Sequence, residues 1–279
     1  MSNLLYTDVE ESLRSSVRGA LQRAVDHGTV AALYDAPDTD VSAVWATLSG
    51  DLGLAGLLVP EDLGGVGAGA REAAVVMEEL GRTVAPAPFL ESAVIATTVL
   101  AAAGDTWVLP RLAEGAARAV LVLPWSSRAG AWSASSGDAV APVAGAIGAD
   151  VFLVPTLHAG SARLVLHESA SVESLTSLDM SRPLASVTPQ GEGRVVAEGD
   201  AAVAAVDAGL RAGAALLASE QVGLAQWCLE TTVEYAKTRV QFARPIGSFQ
   251  AIKHRLADLY LEVAQAQAAA RYAADTLAS

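Results

Sequence analysis

Apolar residues recur at four-residue spacing through Val9, Leu13, Val17, Leu21 and Val25, which predicts a helix over residues 8–33. Asp40 or Ser42 can cap a second helix that runs through Leu48. The apolar run Leu57-Leu-Val then meets Pro60 and the pair Gly64-Gly65, which is a turn and not a continuing helix. Residues 71–81 have helical periodicity, with Gly81 placed as a C-cap. Pro86 and Pro88 separate that segment from an apolar helix over 90–103, and Trp107 to Glu114 forms a short connection or helix. The pattern then changes. Val120-Leu-Val-Leu, Val151-Phe-Leu-Val and Arg163-Leu-Val-Leu are short runs set between Gly, Ser and Pro, with further strands over 185–188 and 193–196. Long helical patterns do not alternate with these runs, so a small antiparallel β unit is expected rather than a parallel α/β sheet. From Ala201 the helical period returns and continues to about Lys237, with Leu216, Leu217, Val222, Leu224 and Leu229 as core candidates. Pro245 and Gly247 break it, and a second helix runs from about Phe249 past Leu277. Two long antiparallel helices leave apolar faces uncovered unless something else packs on them.

Composition narrows the function classes. A formal charge of −13 gives no general grip on a phosphate backbone and disfavours nucleic-acid binding. A single cysteine, Cys228, excludes an internal disulfide framework and a thiolate metal cluster. Flanked by Trp227 and Leu229, it is expected to be buried, as are Trp45 and Trp107. The polar, acidic start is wrong for a signal peptide, and the apolar stretch from Ala93 to Ala103 is too short to span a bilayer. A cytoplasmic chain is therefore expected, with no membrane and no nucleic acid among its partners.

The distribution of charge is more informative than its total. Residues 1–120 carry 7 basic and 16 acidic side chains, whereas residues 207–279 carry 7 of each. Within that neutral segment Lys237, Arg239, Arg244, Lys253 and Arg255 share one window, with no acid between Glu234 and Asp258. Such an island is either a solvated helix face or an anion site.

Three stretches point to a family. Leu57-Leu-Val-Pro-Glu-Asp-Leu-Gly-Gly-Val-Gly, followed by Val76-Met-Glu-Glu-Leu-Gly-Arg and Ala85-Pro-Ala-Pro-Phe, resembles the N-terminal domain of acyl-CoA dehydrogenases. The segment Tyr235-Ala-Lys-Thr-Arg-Val-Gln-Phe-Ala-Arg-Pro-Ile-Gly-Ser-Phe-Gln-Ala-Ile-Lys-His-Arg-Leu-Ala-Asp is similar to the signature of the C-terminal domain. Leu109-Pro-Arg-Leu-Ala-Glu-Gly fits the entry into the β domain. The resemblance implies an α+β fold in three parts. These are an N-terminal helical domain (1–115), a middle β domain (116–205) and a C-terminal helical bundle domain (206–279) of which the chain holds the first two helices.

The family uses FAD to oxidise an acyl-CoA thioester between its α and β carbons, with a glutamate removing the α proton. Set against that pattern, this sequence departs at the cofactor face. The Thr and Glu of the family's Thr-Glu-Pro loop fall at Pro124 and Trp125, and the family's Trp-Ile-Thr/Ser motif falls at Pro142, Val143 and Ala144. One family position for the catalytic glutamate falls at Gly213; the other is expected beyond Ser279. Glu220 and Glu230 are off register and read as helix-surface or interhelical residues. The family's cross-subunit segment is retained. Arg239 and Gln241, with Phe249 and Gln250, match the residues that reach the FAD pyrophosphate of a neighbouring subunit. The resemblance therefore implies a subunit without a catalytic residue of its own. It would pair with a homologous catalytic subunit, as α2β2, on a fatty or steroid side-chain acyl-CoA substrate. A fragment of a homotetrameric enzyme and a non-catalytic scaffold on the same fold are the alternatives.

Overall fold

The computed structural model describes residues 4–25, 27–36 and 39–277. Helix α1 (Asp8–Ala24) starts at a capping box in which Thr7 accepts from the Glu10 amide and Glu10 accepts from the Thr7 amide. It stops at Val25, whose extended backbone breaks the expected single helix, and α2 (His27–Asp35) follows. Helix α3 (Ser42–Ala46) continues as a π-type turn over Thr47–Asp51. Helix α4 (Ala70–Thr83) runs past Gly81, so Gly81 is not its cap; that place is taken by Val84, in the left-handed region. The apolar segment 90–103 is helical but uneven, π-type over Phe89–Ala96 and regular in α5 (Thr97–Ala102). Helix α6 (Val108–Ala113) leads into the strands.

Two sheets follow. The first has the order β1 (Ala119–Leu121), β3 (Val151–His158), β4 (Ser161–His167), β7 (Arg194–Glu198). The second has the order β2 (Val140–Ala144), β6 (Leu184–Pro189), β5 (Ala170–Leu175). Pairing is antiparallel as expected, except that β1 runs parallel to β3. β2 is broken by Pro142 and β5 mixes polar with apolar residues, so neither reads as a strand from sequence. Within the first sheet, β1 and most of β3 are buried on both faces. Val120, Val122, Phe152 and Val154 meet the second sheet, while Leu121, Leu123, Val151 and Leu153 join the main helical core. Two-sided burial explains why these strands read as unbroken apolar runs.

Helix α7 (Gly199–Thr238) is the spine. It packs on α4, α5 and the π-type segment, and along β4 and β7. Among the described residues it is the one helix long and apolar enough to cross a membrane, and this packing accounts for its apolarity. Asp207, which interrupts the apolar run, accepts from the Gly130 amide and the Trp132 indole and so ties the β-domain loop to the helix. A two-residue turn joins β8 (Val240–Gln241) to β9 (Arg244–Pro245), and α8 (Gln250–Leu277) returns along α7. Leu216 and Val222 are buried as expected, but Leu224 is exposed, because its position faces away from α4. Cys228 and Trp107 are also exposed. Trp107 stacks under Arg111 and Arg194 at the surface instead of entering the core.

Candidate functional site

Two places bear on function. The first is the hairpin between α7 and α8. Phe242 and Ala243 both have positive φ (53° and 60°), the conformation of the tight turn that matches strand twist. The Ile246 amide donates to the Arg239 carbonyl, and Gly247 lies so close to the Ala236 carbonyl (2.8 Å for a β carbon) that only glycine fits. The hairpin brings Arg239, Gln241, Phe249 and Gln250 to one end of the helix pair. Arg239, Gln241 and Gln250 are exposed, and Phe249 is half-buried. Phe249 is fixed edge-on to Phe242 (6.2 Å) and lies under the Arg244 guanidinium (4.0 Å). Gln250 reaches the His254 ring at 3.3 Å. The charges separate. Lys237 is held by Glu234 at 2.6 Å, whereas Arg239 makes no ion pair among the described residues.

The second place is a cavity of about 300 Å³ between β1, the π-type segment and α7. Its walls are mostly apolar, with Ile95, Leu121, Leu123, Leu210 and Leu217, while the loop side adds Trp125, Ser126, Ser127 and Arg128. Gly213 and Ala144 line it, so the positions where the resemblance calls for a glutamate and a hydroxyl present a hydrogen and a methyl. A side chain at 213 would press on Ile95, 2.7 Å from its β carbon.

The loop after β1 does not suit a flavin. Pro124 has no N–H to give. The Trp125 amide is spent on the Pro142 carbonyl (2.7 Å), and the Ser127 amide on the Pro124 carbonyl (2.8 Å). Pro124, Trp125 and Pro142 thus meet at one face, so the two departures read from sequence lie together. No step through a flavin follows from this chain's own cavity.

One group in the cavity was not found from sequence. Glu91 is buried (4% exposed) and lines it. Its Oε1 accepts from Arg182 Nε at 3.0 Å, and Arg182 also makes two bonds to Glu220 (3.0 and 2.8 Å) and lies over the Trp125 ring (5.4 Å). Burial pushes Glu91 above the usual carboxylate range, more strongly than Arg182 pulls it down. Burial alone would lower Arg182, but Glu91 and Glu220 outweigh it and keep the guanidinium charged. The available signal was a lone charge in the apolar run Phe89-Leu-Glu-Ser-Ala-Val-Ile. Glu230 is ion-paired across helices to Arg82 of α4, whereas Glu220 pairs with Arg182 in the loop between β5 and β6.

Residues 7–116 match the model of the acyl-CoA dehydrogenase N-terminal domain, and residues 203–279 match that of the C-terminal domain. The chain belongs to the acyl-CoA dehydrogenase family. It is 36% identical over 260 residues to acyl-CoA dehydrogenase IpdE2 of Mycobacterium tuberculosis, covering 92% of this chain and 73% of that protein. Among solved structures it is similar to the ChsE4-ChsE5 complex from Mycobacterium tuberculosis, with TM-score 0.80, 27% identity, and 99% and 81% of the two chains covered. It is also similar to a variant of the Tcur3481-Tcur3483 steroid ACAD, with TM-score 0.79, 26% identity, and 97% and 84% covered. The architecture is the acyl-CoA dehydrogenase fold, with helices flanking the two sheets.

Proposed function

We propose that this chain is the cofactor-poor subunit of a heteromeric acyl-CoA dehydrogenase. It lends Arg239 and Gln241, with Phe249 and Gln250, to FAD bound on a homologous catalytic subunit. One observation carries the reading. In the chain's own loop Pro124 has no N–H and the Trp125 amide is spent on Pro142, while the hairpin presents an arginine without an acidic partner among the described residues. An arginine fork suits two phosphate oxygens, and a glutamine amide adds a directional donor. FAD, when bound by the partner, supplies the acceptor for the hydride removed in α,β-desaturation of an acyl-CoA thioester. The similarity to a two-named complex and to a steroid ACAD supports a heteromeric assembly, which we take as α2β2 and cytoplasmic, and a steroid-derived thioester. The exposed Ile252, Tyr260 and Leu261 of α8 support a partner as well.

The test is co-purification with a homologue that keeps the Thr-Glu-Pro loop and the glutamate. The complex is expected to carry flavin and the lone chain none. Stoichiometric flavin absorbance on the lone chain overturns the proposal. Arg239→Ala in the assembled complex is expected to weaken FAD retention by about 1.5–3 kcal/mol, the range for a hydrogen bond to a charged group. Unchanged flavin content there favours a scaffold.

A further inference from the structure

We infer that the cavity beside Glu91 is a binding site in its own right, for a compact, uncharged, apolar molecule carrying one hydroxyl or carbonyl oxygen. The inference stands whether or not the hairpin completes a neighbour's cofactor site. Size comes first. About 300 Å³ lies at the lower end of small-molecule pockets, with room for one ring system and not for a dinucleotide. Chemistry comes second. The walls of Ile95, Leu121, Leu123, Leu210 and Leu217 reward apolar burial. A buried carboxyl among such walls is costly unless it is paired, and Glu91 has one oxygen on Arg182 while its carboxyl borders the cavity. Charge comes third. Arg128 lines the cavity from the loop but is exposed and stays solvated, and behind Glu91 the Arg182 guanidinium already makes two bonds to Glu220, so neither cation is a buried partner for an anionic ligand. A ligand carboxylate would also face Glu91. A neutral oxygen suits the site, since a protonated Glu91 donates to a carbonyl and either form of Glu91 accepts from a hydroxyl.

The experiment is calorimetric titration of the full chain with borneol and with bornane, its hydrocarbon counterpart. Borneol is expected to bind about tenfold more tightly, the worth of one hydrogen bond. Glu91→Leu should bring the two affinities together, and Glu91→Gln should keep the preference. Ala214 lies on the exposed side of α7 and lines the cavity, so Ala214→Phe fills it from the rim with little risk to folding. That variant should bind neither compound. Failure of borneol to bind up to its solubility limit, equal affinities in the native chain, a preference surviving in Glu91→Leu, or binding surviving in Ala214→Phe each overturns the inference.

Discussion

Gly223 in α7 lies against the carbonyl oxygen of Glu78 in α4, with no room for a β carbon between them. The contact is reciprocal, since Gly81 in α4 meets the carbonyl of Glu220 in the same way. The two backbones touch at this crossing, and neighbouring side chains cannot yield to relieve it. Gly223→Ala is therefore expected to destabilise the chain by about 3 kcal/mol, the upper part of the range for overpacking, despite alanine's better helix propensity. Urea unfolding of the variant measures this, and a neutral result would mean that the helices separate at little cost.

Arg14 bridges two carboxylates that lie behind it. It contacts Glu78 at 2.8 Å and Glu79 at 3.0 Å, and both acids are essentially inaccessible. Tyr6 donates to Glu78 as well, and its ring lies under Arg14. Removing the cation leaves Glu79 to Arg18 and Glu78 to Tyr6 and the more distant Arg271, so Arg14→Met should cost about 1.5–3 kcal/mol, the range for hydrogen bonds to a charged group. Adding Glu78→Gln to that variant should recover part of the loss. Chemical denaturation of the single and double variants checks both statements.

Two buried acids give pH dependences of opposite sign. Glu91 is pushed up by burial. Just above the ordinary carboxylate range the native chain still holds a proton that the unfolded chain has lost, so stability falls as pH rises through that window. For Glu10, burial also acts upward, but hydrogen bonds from Arg71 and from Thr7 outweigh it and hold the carboxyl below its usual value. Its contribution is present above the ordinary range and is lost as pH falls. Glu91→Gln should flatten the decline on the alkaline side, and Glu10→Gln the decline on the acid side. Melting temperatures across about pH 3 to 8 separate the two. Unchanged slopes in both variants would contradict the assignment.

The hairpin turn holds Phe242 and Ala243 in the left-handed region, where non-glycine residues are strained by roughly 1–2 kcal/mol. Glycine removes that strain and gives back some of the gain through its greater unfolded-state entropy. Ala243→Gly should raise stability by about 0.5–1 kcal/mol, read as a higher melting temperature. A lower one would show that the methyl group makes a contact worth more than the strain.

The three-part order of helices, strands and helices was legible because its signals are local: a four-residue period in α1, apolar runs in β1 and β3, and the Pro245 and Gly247 break after α7. Errors came where tertiary packing overrides local pattern. Gly81 looked like a helix end because glycine commonly ends helices, yet it serves a close crossing. β2 and β5 are strands because β6 lies between them and pairs with both, a partnership with no mark in their own residues. The hairpin residues were readable as a contiguous motif. The Glu91–Arg182–Glu220 set was not, since its members stand 91 and 38 positions apart and meet only through the fold.

Helix α7 carries a wall of the cavity at Gly213 and ends at Arg239 in the hairpin. At 1.5 Å per residue the two points stand about 39 Å apart along one continuous rod. A small molecule cannot span that length, so whatever occupies the cavity and whatever meets the hairpin are different bodies. Damage at either end can therefore be read separately, and a disturbance that moves both at once must travel through the helix itself.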